Sequence, residues 1–148
     1  MSRSLYAPLF AAVLLLSAAP SWAATAHNML GRWYLEGEED GAYIQYLVTR
    51  SSDGTFTAEI RSHEGCAKTS TWTESGRWEF RDGTLYNQTE KVDGEEIEEG
   101  GEDFRDAFTI TVVNKDRIRA VDMETKSSWL TERVGARFTF PPRAKCSV

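Results

Sequence analysis

Side chains suited to catalysis or metal binding are few in this sequence, apart from its carboxylates. Its only histidines are His27 and His63, and its only cysteines are Cys66 and Cys146. A zinc site needs three or four ligands close together, and this spacing does not supply them. His63 and Cys66, in SHEGC, could form a nucleophilic pair, but not if Cys66 is in a disulfide. The sequence therefore predicts a protein that is not an enzyme, with no catalytic residues, no metal and no cofactor.

Asp106 and Asp122 are the carboxylates best placed for acid–base chemistry, because each shares strand parity with an apolar neighbour, Phe108 and Ala120 respectively. If they pointed inward, they would need cationic partners or would have raised pKa values. That arrangement would support an isomerase or cyclase. The favoured alternative is that both lie near strand ends, in contact with water.

The densest run of acidic residues is DGEEIEEGGED, from Asp93 to Asp103. Runs of like charge are usually solvated, so we expect this stretch to be a loop that joins two strands. A calcium site is the alternative. Its acidic residues lack the spacing of a calcium-binding loop with a fixed Gly and a terminal Glu.

The elements that would position these groups are short segments of alternating polarity separated by turn residues. Asp-Gly or Asn-Lys-Asp follows several of them, as in tight antiparallel hairpins. The segments are 30–36, 43–50, 55–61, 68–73, 77–80, 84–92, 104–113, 117–123 and 127–134, and Ser75-Gly76 predicts a bend or bulge. After residue 27 no segment keeps a helical apolar period beyond two turns. The sequence therefore predicts an all-β chain of about eight to nine strands.

Sequential hairpins without long crossovers favour an antiparallel up-and-down β-barrel, because closure removes the exposed edge strands. An eight-stranded barrel is just wide enough to be filled by side chains or to hold one small ligand. The aromatic residues predicted to line a candidate cavity are Tyr46, Phe56, Trp72, Trp78, Phe108 and Trp129. They favour a small hydrophobic or amphipathic ligand. Alternatively, the same rings fill the barrel, and the protein is an interaction module, such as an envelope accessory protein or an inhibitor.

The first 23 residues have the anatomy of a secretory signal peptide. Arg3 precedes an apolar run too short to span a bilayer, and small residues precede a cleavage site after Ala23. No later segment is long and apolar enough for a membrane span. We therefore expect a periplasmic or secreted soluble protein, with residues 24–148 as a single domain. The net charge of −6 argues against nucleic acid or an anionic membrane surface as the main partner.

Both cysteines lie after the predicted signal peptide. In an oxidising compartment they most simply form one disulfide, Cys66–Cys146, and a pair of unbridged thiols is the alternative. The bridge would tie the C-terminal tail, residues 135–148, to the middle of the chain. Phe138 and Phe140 alternate in that tail, which predicts a short last strand or an extended cover over the barrel.

Gly31 and Trp33 in LGRWY, a meander of hairpins and Arg133 in WLTERV together resemble the lipocalin-like (calycin) barrels, and a minimal bacterial type fits best. The resemblance implies that Trp33 lies at the closed base of the barrel with Arg133 across its indole. Family members often carry a disulfide laid out like Cys66–Cys146. Avidin-type barrels also open with Gly-x-Trp, but their later Trp and Asp pattern is missing here, so biotin is not expected.

Overall fold

The structure is a computed structural model that describes residues 23–66, 68–97 and 104–143. The predicted signal peptide (almost all of it), most of the glutamate-rich part of the acidic stretch, and Cys146 lie outside the described residues. Within the described ranges, no helix has the length and apolar character needed to cross a membrane.

Nine strands and one short helix make up the described chain. They are α1 (Ala26–Met29), β1 (Gly31–Glu39), β2 (Ala42–Arg50), β3 (Thr55–Glu64), β4 (Lys68–Arg81), β5 (Thr84–Val92), β6 (Glu95–Glu96), β7 (Arg105–Asn114), β8 (Arg117–Asp122) and β9 (Ser128–Arg133). The predicted all-β class is confirmed. The acidic stretch begins not as a plain loop but as a turn followed by the two-residue strand β6.

The strands form a closed antiparallel barrel. Each of the eight long strands pairs with its neighbour in sequence, β5 pairs with β7, and β9 returns to pair with β1. The strand β6 extends the hairpin from β5 and stands outside this circuit. This confirms the predicted antiparallel up-and-down barrel.

The bulge predicted at Ser75-Gly76 is confirmed, because the pairing of β4 with β5 shifts register there. The prediction of two separate segments around it is wrong, since β4 runs unbroken for 14 residues. The irregularity lies in its partner: Ser75 pairs with Lys91 and Gly76 pairs with Thr89, so Glu90 is the extra residue of a bulge. A Cβ atom at Gly76 would overlap the carbonyl oxygen of Gln88. Glycine is therefore required here for close approach of the β5 backbone, rather than for a break in β4.

One end of the barrel is sealed by α1 and by Trp33. Met29 and Trp33 are both fully buried and pack with Leu85, Ile110 and Ile118. The Trp33 indole Nε1 donates a hydrogen bond to the Met29 carbonyl oxygen at 3.0 Å. The helix α1 had no counterpart in the sequence prediction, because its four residues carry no apolar period.

Arg133 holds this closed end together. Its guanidinium lies 4.2 Å from the centre of the Trp33 ring and donates hydrogen bonds to the Leu30 carbonyl at 2.6 Å and the Asn28 carbonyl at 3.2 Å. Gly31 has φ +95°, and a Cβ there would come within 2.8 Å of the Arg133 Nη1 atom. The glycine thus gives the guanidinium room to reach the carbonyls at the C-terminal end of α1.

The C-terminal tail covers the outer wall of the barrel and contains no strand over residues 134–143. The Phe138 ring lies 4.8 Å from that of Tyr34, and Arg61 lies over Phe140 at 4.6 Å. The Gln45 amide donates to the Pro141 carbonyl at 2.9 Å. Of the two predicted forms, the tail is therefore the extended cover, and it lies on the side of the barrel.

Replacing Arg133 with Met should destabilise the protein by about 2–4 kcal/mol, because the change removes a cation–π contact and leaves carbonyls at the base without their donor. Urea unfolding followed by tryptophan fluorescence measures the loss. Arg117→Met is the matched control, since Arg117 makes an exposed ion pair with Glu132 at 2.8 Å that should contribute less than about 1 kcal/mol. Equal losses in the two variants would contradict the role given to Arg133.

Candidate functional site

The barrel encloses a cavity of about 130 Å³ above the sealed base. Its apolar wall includes residues from five of the strands, and they are Trp33, Val48, Ala58, Leu85, Ile118 and Ala120. The interior is therefore only partly filled by side chains. Because one buried water needs about 10–15 Å³, this cavity has room for a molecule of roughly ten non-hydrogen atoms.

Four of the six predicted aromatic residues line this cavity, and they are Tyr46, Phe56, Phe108 and Trp129. Trp72 and Trp78, predicted on the same grounds, do not line it. Trp78 packs between the two core clusters and donates from Nε1 to the Ser51 carbonyl at 3.0 Å, while Trp72 packs on the cluster around Ile60. Strand parity identified residues that face inward but not which of them border the cavity.

The position of Trp129 depends on Gly37, which lies opposite it on β1. A Cβ atom at Gly37 would overlap the Trp129 ring. The indole therefore lies directly on the β1 backbone and forms one wall of the cavity instead of occupying its centre.

Carboxylates from four strands face the cavity, and they are Glu39, Glu74, Asp106 and Asp122. Glu39, Asp106 and Asp122 all stand at strand ends remote from the sealed base. We call these four residues the acidic rim. Asp106 and Asp122 thus lie near strand ends, which is the alternative that the sequence analysis favoured, and their side chains also face the cavity.

Hydrogen bonds orient three members of the rim. Glu39 accepts from the Tyr46 hydroxyl at 3.2 Å, and Glu74 accepts from the Trp72 indole at 2.9 Å. Asp122 accepts from two backbone N–H groups in the turn that follows it, at 2.8 and 2.7 Å. Within the described ranges, no Lys or Arg forms an ion pair with any of the four.

Asp106 has the most strongly perturbed carboxyl. Burial first, and then the negative charges around it, raise its pKa to about 6; these charges belong to Glu74, Asp122, Glu39 and Glu124. The Asp106 side chain has protein around it but remains accessible to solvent, because it faces the cavity. Burial and Glu39 also raise the pKa of the neighbouring Tyr46, so its phenol stays protonated.

Asn87 pairs with Asp106 in the sheet and presents a second acceptor beside it. Its Oδ1 atom is buried and has no hydrogen-bond partner among the described residues, and the side chain lines the cavity. A buried acceptor without a donor is costly. Both Asn87 and Asp106 could therefore accept hydrogen bonds from a group inside the cavity.

Arg50 provides a charge of the opposite sign. It is the last residue of β2, pairs with Gly31 near the sealed base, and is only 7% exposed. Its Nε atom has no hydrogen-bond partner, and burial alone lowers the pKa of its guanidinium to about 10. The described ranges contain no carboxylate in an ion pair with it. Arg50 was not singled out from the sequence, although its strand parity with Tyr46 and Val48 indicates an inward position.

The histidine noted in the sequence is remote from this cavity. His63 belongs to β3, and its ring nitrogens contact Thr69 at 3.1 Å and Gln45 at 3.2 Å on the outer wall. Burial, then Arg61 and Arg143, lower its pKa. Nowhere in the described part of the chain do three His, Cys, Asp or Glu side chains converge as metal ligands.

No family model matches the chain, and no curated protein matches it. The similar solved structures include a tryptamine complex of the amine binding protein of Rhodnius prolixus and a selenomethionine derivative of a biogenic amine-binding protein. Each is 14% identical with a TM-score of 0.39, and the match covers 76% of this chain and 67% of the other. Likeness this low assigns neither a family nor a ligand, so the function is argued from the cavity.

Replacing Asp106 with Asn should stabilise the protein at pH 8 by about 1 kcal/mol, a value reduced for the solvent around this side chain. The folded-state pKa of about 6 exceeds the unfolded one, so ionised Asp106 costs stability as pH rises through 6. The gain should vanish near pH 4, where Asp106 is protonated in the folded state. Urea unfolding at both pH values measures it.

The control for this experiment is Glu95→Gln, which alters an exposed carboxylate on β6. It should change the stability by less than about 0.5 kcal/mol at either pH. A stabilisation by Asp106→Asn that is the same at pH 4 and pH 8 would show that its carboxyl does not titrate as described.

Proposed function

We propose that this protein binds a small amphipathic molecule inside the barrel, with the apolar part against the aromatic wall and a cationic group at the acidic rim. The observation that carries the proposal is a cavity lined by four carboxylates that form no ion pair within the described ranges, and by the Asn87 Oδ1 atom, which has no donor there. A filled barrel, which an interaction module would have, leaves no such space.

The aromatic wall suits the apolar part of the ligand. Phe56, Phe108 and Trp129 surround a cavity of about 130 Å³. Pockets of this kind, mostly apolar with a few polar groups, bind small molecules by removing apolar surface from water. The volume favours a ligand with one ring or a short chain.

The acidic rim suits a cation. Four carboxylates without a counter-ion repel one another, and this repulsion contributes to the raised pKa of Asp106. A bound ammonium would offset the repulsion, donate to Asp106 and to the Asn87 Oδ1 atom, and gain cation–π energy from the nearby Tyr46 or Trp129 rings.

We further propose that the protein is an exported, minimal bacterial lipocalin-like barrel with a Cys66–Cys146 disulfide. The Arg143 guanidinium donates to the Gly65 carbonyl at 2.6 Å and lies over the Tyr43 ring at 5.1 Å. The tail thus passes beside Cys66 only three residues before Cys146, and three residues span at most about 11 Å. Mass spectrometry of the mature protein, with and without reduction, tests the signal cleavage and the bridge.

Asp106 also favours a second candidate function, an isomerase or cyclase on the same barrel. A carboxyl with a pKa of about 6 inside a cavity is suited to general acid–base catalysis. Chromatography of a ligand recovered after incubation distinguishes the two: a binding protein returns it unchanged, whereas an isomerase returns a product.

The proposed cation preference can be tested with 2-phenylethylamine and its neutral isostere 2-phenylethanol. Titration at pH 8, where Asp106 is ionised, should show the amine binding at least tenfold more tightly, by quenching of tryptophan fluorescence. Asp106→Asn should reduce amine affinity about tenfold and leave the alcohol unchanged, since one lost charge interaction is worth about 1.4 kcal/mol. Glu95→Gln is again the control. Equal affinity for the two compounds, or no binding of either, would contradict the proposal.

A further inference from the structure

The guanidinium of Arg50 places a positive charge at the closed end of the cavity. A ligand that carries only a cationic group would leave this charge without a partner. The side chain of Arg50 lines the cavity and is only 7% exposed, and its Nε atom has no hydrogen-bond partner. Burying an unpaired guanidinium is expensive, and buried charges in proteins are normally paired. An arginine in this position is therefore suited to receive an anion from within the cavity.

The positive and negative charges stand at opposite ends of the same space. Arg50 ends β2 at the level of Gly31, the first residue of β1, whereas Glu39 ends β1 at the other side of the barrel. Asp106 and Asp122 lie at that same open side, and the only influence on the Arg50 pKa is burial. Within the described ranges no ion pair joins Arg50 to a residue of the acidic rim, and three of the four rim carboxylates stand at strand ends on the opposite side of the barrel.

We propose that Arg50 is an anion subsite, and that the ligand is an ω-amino carboxylate whose carboxylate meets Arg50 while its ammonium meets the acidic rim. This inference rests on the proposed function and narrows its ligand class. An α-amino acid cannot reach both subsites, because its ammonium and carboxylate groups are attached to the same carbon. The apolar wall between the two subsites requires an uncharged middle, such as a single ring or a chain of several methylenes.

The ring compound 4-(aminomethyl)benzoate has charges at opposite ends and about the size that the cavity admits. It is compared by calorimetry at pH 8 with 4-methylbenzylamine, which lacks the carboxylate, and 4-methylbenzoate, which lacks the ammonium. The zwitterion should bind at least tenfold more tightly than either.

Arg50→Met separates the anion subsite from the rest of the cavity. Exchanging a buried, unpaired charge for an apolar side chain of similar length should not unfold the barrel. The variant should bind 4-methylbenzylamine as the unaltered protein does, while the advantage of the zwitterion falls to less than threefold. Arg50→Lys should retain part of the advantage. Arg77→Met, which removes an exposed arginine from β4, should retain all of it.

The outcomes distinguish failure of this inference from failure of the proposed function. If 4-methylbenzylamine binds but the added carboxylate gives no advantage, or the advantage survives in Arg50→Met, the anion subsite is refuted and the cation site stands. If only 4-methylbenzoate binds, the cation site is refuted, and the ω-amino carboxylate with it. If none of the three binds, both proposals fall.

Discussion

The stacking of Arg133 on Trp33 is the interaction on which the rest of the structure depends. It joins the first long strand to the last at the point where the barrel closes, and the same guanidinium donates to the carbonyls at the C-terminal end of α1. Met29 and Trp33 complete the seal from inside. Beyond this seal the interior is only partly filled, and aromatic side chains form the wall of the remaining cavity.

The charged groups in the open part of the interior do not stabilise the barrel by themselves. The acidic rim carries mutual repulsion, and the buried guanidinium of Arg50 lacks a counter-ion among the described residues. Either arrangement reduces folding stability unless a partner compensates it. Binding sites commonly contain such strained electrostatics, because the free energy is recovered when the ligand arrives.

The barrel could be predicted from the sequence because the patterns that determine its strands and turns are local. Alternating polarity and Asp-Gly turns determine the hairpins, and the pattern around Trp33 and Arg133 indicates how the base closes. The candidate site was harder to predict from the sequence. Parity alone could not show that Gly37 lets Trp129 lie against β1, or that Trp78 becomes part of the core. Arg50 and Glu39 stand at strand ends, where solvent contact is the usual outcome, and only the shear of the closed barrel turns them towards one cavity.

The most direct test of this account is a high-resolution crystal structure of the mature protein purified without added ligand. We predict electron density for ordered water or a co-purified molecule between Arg50 and the acidic rim, with no protein carboxylate within 4 Å of the guanidinium of Arg50. An interior filled by rotation of Tyr46 or Trp129, or a direct ion pair between Arg50 and a rim carboxylate, would contradict the account.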